Sequence, residues 1–144
     1  MPGDFIDTNV LIYVASADAR KADRAEQVLS RGGTVSVQVL NEAANVARRK
    51  MAMPWPEVRA FRDGLRGLLT VHPLTVEVYE AGLALAERHG LSVFDGMIAA
   101  AALHAGCDRL WSEDMQDGMV FAERLRVANP RSTMQVSIVP AAEK

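Results

Sequence analysis

Four acids stand where apolar segments of this 144-residue chain break off: Asp7, Glu42, Asp95 and Asp114. Asp7 interrupts the apolar run Phe5-Ile6 … Val10-Leu11 and is followed by a hydroxyl and an amide, Thr8 and Asn9. Glu42 lies in an amphipathic helix, Asp95 opens an apolar helix, and Asp114 follows a short apolar strand. A fold that gathers these positions would place several negative charges in one cleft. Two carboxylates about 4 Å apart repel by roughly 4 kcal/mol at an effective dielectric near 20. Three or four together therefore take up protons or recruit a cation. Oxygen-only donors favour Mg²⁺ or Mn²⁺. Zinc is disfavoured, because His72, His89, His104 and Cys107 show no ligand spacing. A hard divalent ion acidifies a bound water and polarises a phosphate, which suits hydrolysis of a phosphodiester.

Each acid also has a plainer reading. Asp7-Thr8-Asn9 bonds readily to nearby backbone N–H groups, although an acid so close to a buried strand is costly when unpaired. Ser92-Val93-Phe94-Asp95 matches a capping box, and a capping acid can still offer an oxygen to a metal. Glu42 alone is an ordinary helix residue, and Asp114 alone a turn acid. Glu113 and Asp117 compete for the role of Asp114. Other catalytic schemes find little support: there is no Gly-rich phosphate loop and no Gly-x-Ser-x-Gly elbow. Arg48-Arg49-Lys50 ends the helix carrying Glu42. It either complements that helix dipole or contacts a phosphate near the cleft, and Arg20, Lys21 and Arg24 are similar candidates on another helix.

The elements that must position these residues alternate between strand and helix. Phe5–Leu11 is expected as a strand covered on both faces. Asp18–Leu29 reads as a helix ended by Gly32-Gly33, and Thr34–Val37 as a short strand. Ser36 can cap a helix towards Lys50, with Val39, Ala43, Val46 and Ala47 on one face and Glu42 on its flank. Pro56 suits the first turn of a helix to Leu68. Leu69–Leu74 is expected as a strand, Thr75–His89 as a helix, Ser92–Ala105 as a central apolar helix, and Arg109–Ser112 as a strand. Gln116–Ala128 is ambiguous between a helix and a return strand, and Met134–Val139 is expected as an edge strand. The pattern predicts an α/β sandwich with a mainly parallel sheet, whose ligands gather at the carboxyl ends of the strands.

The bulk numbers agree with one domain over residues 1–144. Hydrophobic residues make up 49%, enough for a globular core. No apolar run has the length to cross a bilayer. No basic and apolar leader marks the N-terminus, and the single cysteine suits a reducing, cytoplasmic compartment. The net charge of −2 argues against nucleic-acid binding through overall charge but leaves room for a local basic patch.

Taken together, four blocks resemble PIN-domain ribonucleases, particularly the VapC-type toxins of toxin–antitoxin pairs. They are Phe5-Ile6-Asp7-Thr8-Asn9-Val10-Leu11, Gln38-Val39-Leu40-Asn41-Glu42, Ser92-Val93-Phe94-Asp95-Gly96-Met97-Ile98-Ala99-Ala100-Ala101 and Leu110-Trp111-Ser112-Glu113-Asp114. The resemblance implies a three-layer α/β/α sandwich and Mg²⁺- or Mn²⁺-dependent endonucleolytic cleavage of single-stranded RNA. It matches Asp7, Glu42, Asp95 and Asp114 to an acidic quartet around the metal, and Thr8, Asn9 and Ser112 to supporting polar positions, with Asp117 as an additional acid. It further implies homodimers and a cognate antitoxin that plugs the cleft. Many relatives carry Asn or a nearby Arg in the last block, where this chain has Ser-Glu-Asp-Met-Gln-Asp-Gly. The rival classes are a Mg²⁺-dependent phosphotransfer or phosphatase domain, and a PIN-like binding module without catalysis.

Overall fold

The computed structural model describes residues 3–130. Its elements are β1 (Asp4–Ile6), α1 (Thr8–Tyr13), α2 (Ala19–Leu29), β2 (Thr34–Ser36), α3 (Val37–Arg49) and α4 (Trp55–Leu68). They continue with β3 (Thr70–His72), α5 (Val76–His89), α6 (Val93–His104), β4 (Arg109–Trp111), β5 (Val120–Phe121) and β6 (Leu125–Ala128). The strands form one sheet in the order β3-β2-β1-β4-β6-β5. All neighbours pair in parallel except β5, which runs antiparallel to β6 at the edge.

Crossover handedness fixes the layers. The connections β1 to β2 and β2 to β3 step one way along the sheet, and β3 to β4 steps back. Right-handed crossovers therefore set α1–α4 against one face and α5–α6 against the other. Alternation along the strands agrees. Asp4, Arg109 and Trp111 lie on the α2 side, where the Arg24 guanidinium sits over the Trp111 ring. Phe5 and Leu110, the intervening residues, are fully buried. The result is the α/β/α sandwich with a mainly parallel sheet that the sequence predicts.

One element differs from expectation. Phe5–Leu11 is not a single strand: β1 stops at Ile6, and Asp7 caps the short helix α1 by accepting from the Thr8 N–H. A continuous apolar run fits strand and buried helix alike, and the Asp-Thr-Asn break decides for a helix start. Val10 and Leu11 still reach the core, now at helical spacing. The ambiguous Gln116–Ala128 segment is the β5–β6 hairpin. Met134–Val139 lies outside the described residues.

Helix α6 is the centre of its layer, with every residue from Gly96 to Ala102 buried. Its small side chains allow very close packing on α5. A Cβ at Gly96 would meet the Gly82 carbonyl oxygen at 2.4 Å and the Ala86 Cβ at 2.9 Å. The glycine pair is thus where two backbones touch. No helix among the described residues is long and apolar enough to cross a membrane.

Candidate metal centre

Each acid arrives at the carboxyl edge of the sheet for a local reason. Asp7 directly follows β1, its own N–H donating to the Trp111 carbonyl of β4 at 2.9 Å. Asp114 follows β4 after Ser112. Asp95 sits in the first turn of α6, whose Ser92 cap accepts from the Asp95 N–H at 3.1 Å. The serine half of the capping box read from the sequence is present, and it leaves the acid at the cleft. One carboxylate oxygen from each of Asp7, Asp95 and Asp114 lies within 4.8 Å of the other two. That spacing allows three side chains to share one ion.

Polar neighbours hold the acids in place. The Ser112 hydroxyl donates to Asp7 Oδ2 at 2.7 Å, and the Thr8 N–H donates to Oδ1 at 2.7 Å. Ser112 Oγ also accepts from the Asp114 N–H at 3.2 Å, so one buried hydroxyl links two of the three acids. The Asn9 amide donates to both oxygens of Asp114, at 3.0 and 3.2 Å. Glu42 is not in the group of three. It stands beside it, accepting from the Thr8 hydroxyl at 2.7 Å and from Gln38 Nε2 at 3.1 Å. Asp117 is also outside the group, its carboxylate instead accepting from the Asn129 N–H at 2.8 Å across the β5–β6 hairpin.

The chain carries the pattern of a known family over most of its length: the family model of the PIN domain matches residues 5–117. The chain belongs to the PIN-domain family. No curated protein sequence matches this PIN domain. Solved structures do. A toxin–antitoxin complex from Klebsiella pneumoniae contains a chain with TM-score 0.68 and 20% identity, covering 88% of this chain and 97% of that one. VapC20 of Mycobacterium tuberculosis, a sarcin–ricin-loop-cleaving toxin, has TM-score 0.66 and 19% identity over 85% of this chain and 98% of its own. VapBC2 from Rickettsia felis, bound to a promoter DNA fragment, gives TM-score 0.63 and 16% identity over 88% and 97%. At such identities the likeness is one of fold.

The electrostatics of the PIN-domain cleft follow from burial and repulsion. Burial pushes the Asp7 carboxyl from 3.8 up to about 6, and the charges of Asp114 and Asp95 push the same way. The hydrogen bonds from Ser112 and Thr8 oppose that rise. Asp95 is raised as well, by burial first and then by Asp114, with Glu42 adding a smaller push. A divalent cation relieves these penalties together, so the donor set fits a hard ion.

Gln38 was legible only as part of a block, yet it has a definite place. Its amide bonds Glu42 and reaches the Phe94 carbonyl at 3.4 Å, joining α3 to the turn that delivers Asp95. The signal was its i, i+4 spacing to Glu42. Tyr13 was missed altogether: its hydroxyl bonds Glu113, next to Asp114. The basic triplet fares differently. Arg48 donates to the Met53 carbonyl at 2.9 Å and sits 4.5 Å from the Trp55 ring centroid, tying α3 to α4. Arg49 and Lys50 are exposed at the end of α3 remote from Ser36, about 11 Å along the helix from Glu42.

Proposed function

We propose that this PIN domain is a metal-dependent endoribonuclease that acts as the toxin of a toxin–antitoxin pair. The observation that carries the reading is the convergence of Asp7, Asp95 and Asp114 within 4.8 Å at the strand edge. These three are the residues that would hold Mg²⁺ or Mn²⁺. Such an ion, when bound, acidifies an attacking water and neutralises charge on the scissile phosphate. The chain's own residues organise the site. Ser112 and the Thr8 N–H fix the Asp7 carboxylate, so that it need not reorganise during the reaction. The Asn9 amide orients Asp114, the fourth acid of the sequence pattern. Glu42 adds a further negative charge beside the group and holds Thr8 in position.

Single-stranded RNA is the proposed substrate, and the chain is proposed to work in the cytoplasm as one domain and as a homodimer. A cognate antitoxin is proposed as partner, supported by the presence of toxin–antitoxin complexes among the structures of similar fold. The test is the mapping of cleavage ends in total RNA after brief induction, beside an Asp7→Asn control. Discrete ends that require Asp7 and Mg²⁺ are expected. Phosphoprotein formation on Asp7 would instead indicate phosphotransfer, and calorimetry without Mg²⁺ or Mn²⁺ binding would leave an inert module.

A further inference from the structure

Away from the acids, the molecule carries a concentration of arginine that the proposed chemistry does not use. A cavity of about 380 Å³ lies between α2 and the amino-terminal ends of β1 and β4, lined by Arg24, Arg31, Arg109, Asp4, Gln27 and Trp111 among others. Its one acid is fully engaged. Both Asp4 oxygens accept from Arg109, each at 3.0 Å, and Oδ2 also accepts from Trp111 Nε1 at 3.0 Å. Among the described residues, two positive charges therefore remain without an acid in the cavity. Arg24 lies over the Trp111 ring and bonds Gln27 and the Pro130 carbonyl, neither of them charged. Arg31 is exposed and has no acidic or hydrogen-bonding partner among the described residues. Burial lowers the Arg24 pKa, and repulsion from Arg31 and Arg109 lowers it further. Among the described residues the cavity thus concentrates more positive charge than its one acid offsets, and guanidinium forks match phosphate oxygens in shape.

A second set of contacts runs from the same helix towards the acids. Lys21, one helical turn before Arg24, lies 5.0 Å from the centroid of the Tyr13 ring. The Tyr13 hydroxyl bonds Glu113, the neighbour of Asp114. Lys21 and Arg24 on α2 and Arg31 just past its end consequently mark a basic track running from the Tyr13 side towards the cavity at the opposite sheet edge.

We propose that this track is an extended RNA-binding surface. A strand whose scissile phosphate lies at the acids continues across α2, and one of its backbone phosphates seats between Arg24 and Arg31 above Trp111. The inference rests on the nuclease reading for its ligand class, and a basic track that starts at the helix turn over Tyr13, itself bonded to the neighbour of Asp114, favours RNA over an acidic protein.

The test uses the full chain in EDTA, so that binding is measured without turnover. A labelled single-stranded RNA is titrated at several salt concentrations against wild type, Arg31→Ala, Arg24→Ala and an Arg59→Ala control on α4. Arg31→Ala and Arg24→Ala are each expected to weaken binding by roughly three- to tenfold. Each should also lower the salt slope by about 0.7 for every phosphate it no longer neutralises. Arg59→Ala should match wild type. Because Arg24 packs on Trp111, Arg31→Ala decides the matter if Arg24→Ala misfolds. Wild-type affinity and slope in Arg31→Ala would overturn the track, as would an Arg31-dependent affinity for an acidic protein but not for RNA. A parallel Mg²⁺ cleavage assay separates the two readings. Wild-type cleavage together with unchanged RNA binding in Arg31→Ala removes the track and leaves the nuclease. Binding that depends on Arg31, with no cleavage by wild type, supports the track and removes the nuclease.

Discussion

Asp7 does two jobs with one carboxylate. It caps α1, and it stands among charges that oppose its ionisation. Its folded pKa of about 6 exceeds the 3.8 of the free side chain, so the folded protein holds the proton more tightly. For metal-free protein, stability from this group is therefore greatest below about pH 4 and is lost as pH rises to about 6. The difference amounts to about 3 kcal/mol. Chemical denaturation in EDTA at pH 5 and pH 7.5 should show greater stability at the lower pH, and Asp7→Asn should flatten that difference while abolishing cleavage. Metal binding runs the opposite way, because the ion must displace the proton. Calorimetric Mg²⁺ affinity should fall by up to tenfold per pH unit below about 6. Ser112→Ala removes a hydrogen bond that favours the ionised form. It should move the midpoint of this affinity profile to higher pH, at a stability cost of about 1–3 kcal/mol for the unpaired buried oxygen.

Helices and strands were legible wherever a cap or a glycine punctuated them. Ser36, Thr75 and Ser92 each accept from a backbone N–H where the sequence places a helix start, and Gly90 takes the left-handed turn that ends α5. The first strand was overextended because apolar character alone carries no period, and the β5–β6 hairpin stayed ambiguous because its strands have two and four residues. What no local pattern could give was distance. Glu42 looked equivalent to the other acids, yet it bonds Thr8 instead of joining the group of three. The packing of α5 on α6 was equally hidden, since Gly82 and Gly96 meet only in three dimensions. It supplies a test at this scale. Gly96→Ala gains about 1 kcal/mol of helix propensity but drives a methyl into the Gly82 carbonyl. The net effect in urea denaturation should be a loss of about 1–2 kcal/mol. Because Asp95 precedes Gly96, Mg²⁺ affinity should weaken in the same variant.

At the scale of the whole molecule, the acids act as a store of unfavourable charge that an ion can discharge. An ion that binds only the folded protein stabilises it by about 2.7 kcal/mol at a hundred times its dissociation constant. Thermal denaturation should therefore shift upward by several degrees with Mg²⁺ and return with EDTA. Asp95→Asn should respond to neither. The order of the sheet has one more consequence. Asp7 is made more than a hundred residues before Asp114, and β4, which brings Asp114 to its place, inserts between β1 and β6. A growing chain that has not yet supplied Arg109–Trp111 cannot assemble the three acids, whatever its earlier helices have done. The proposed nuclease would stay inert towards its own message until β4 and Asp114 have been made, and a chain stopped by a premature codon before β4 carries no complete group of acids.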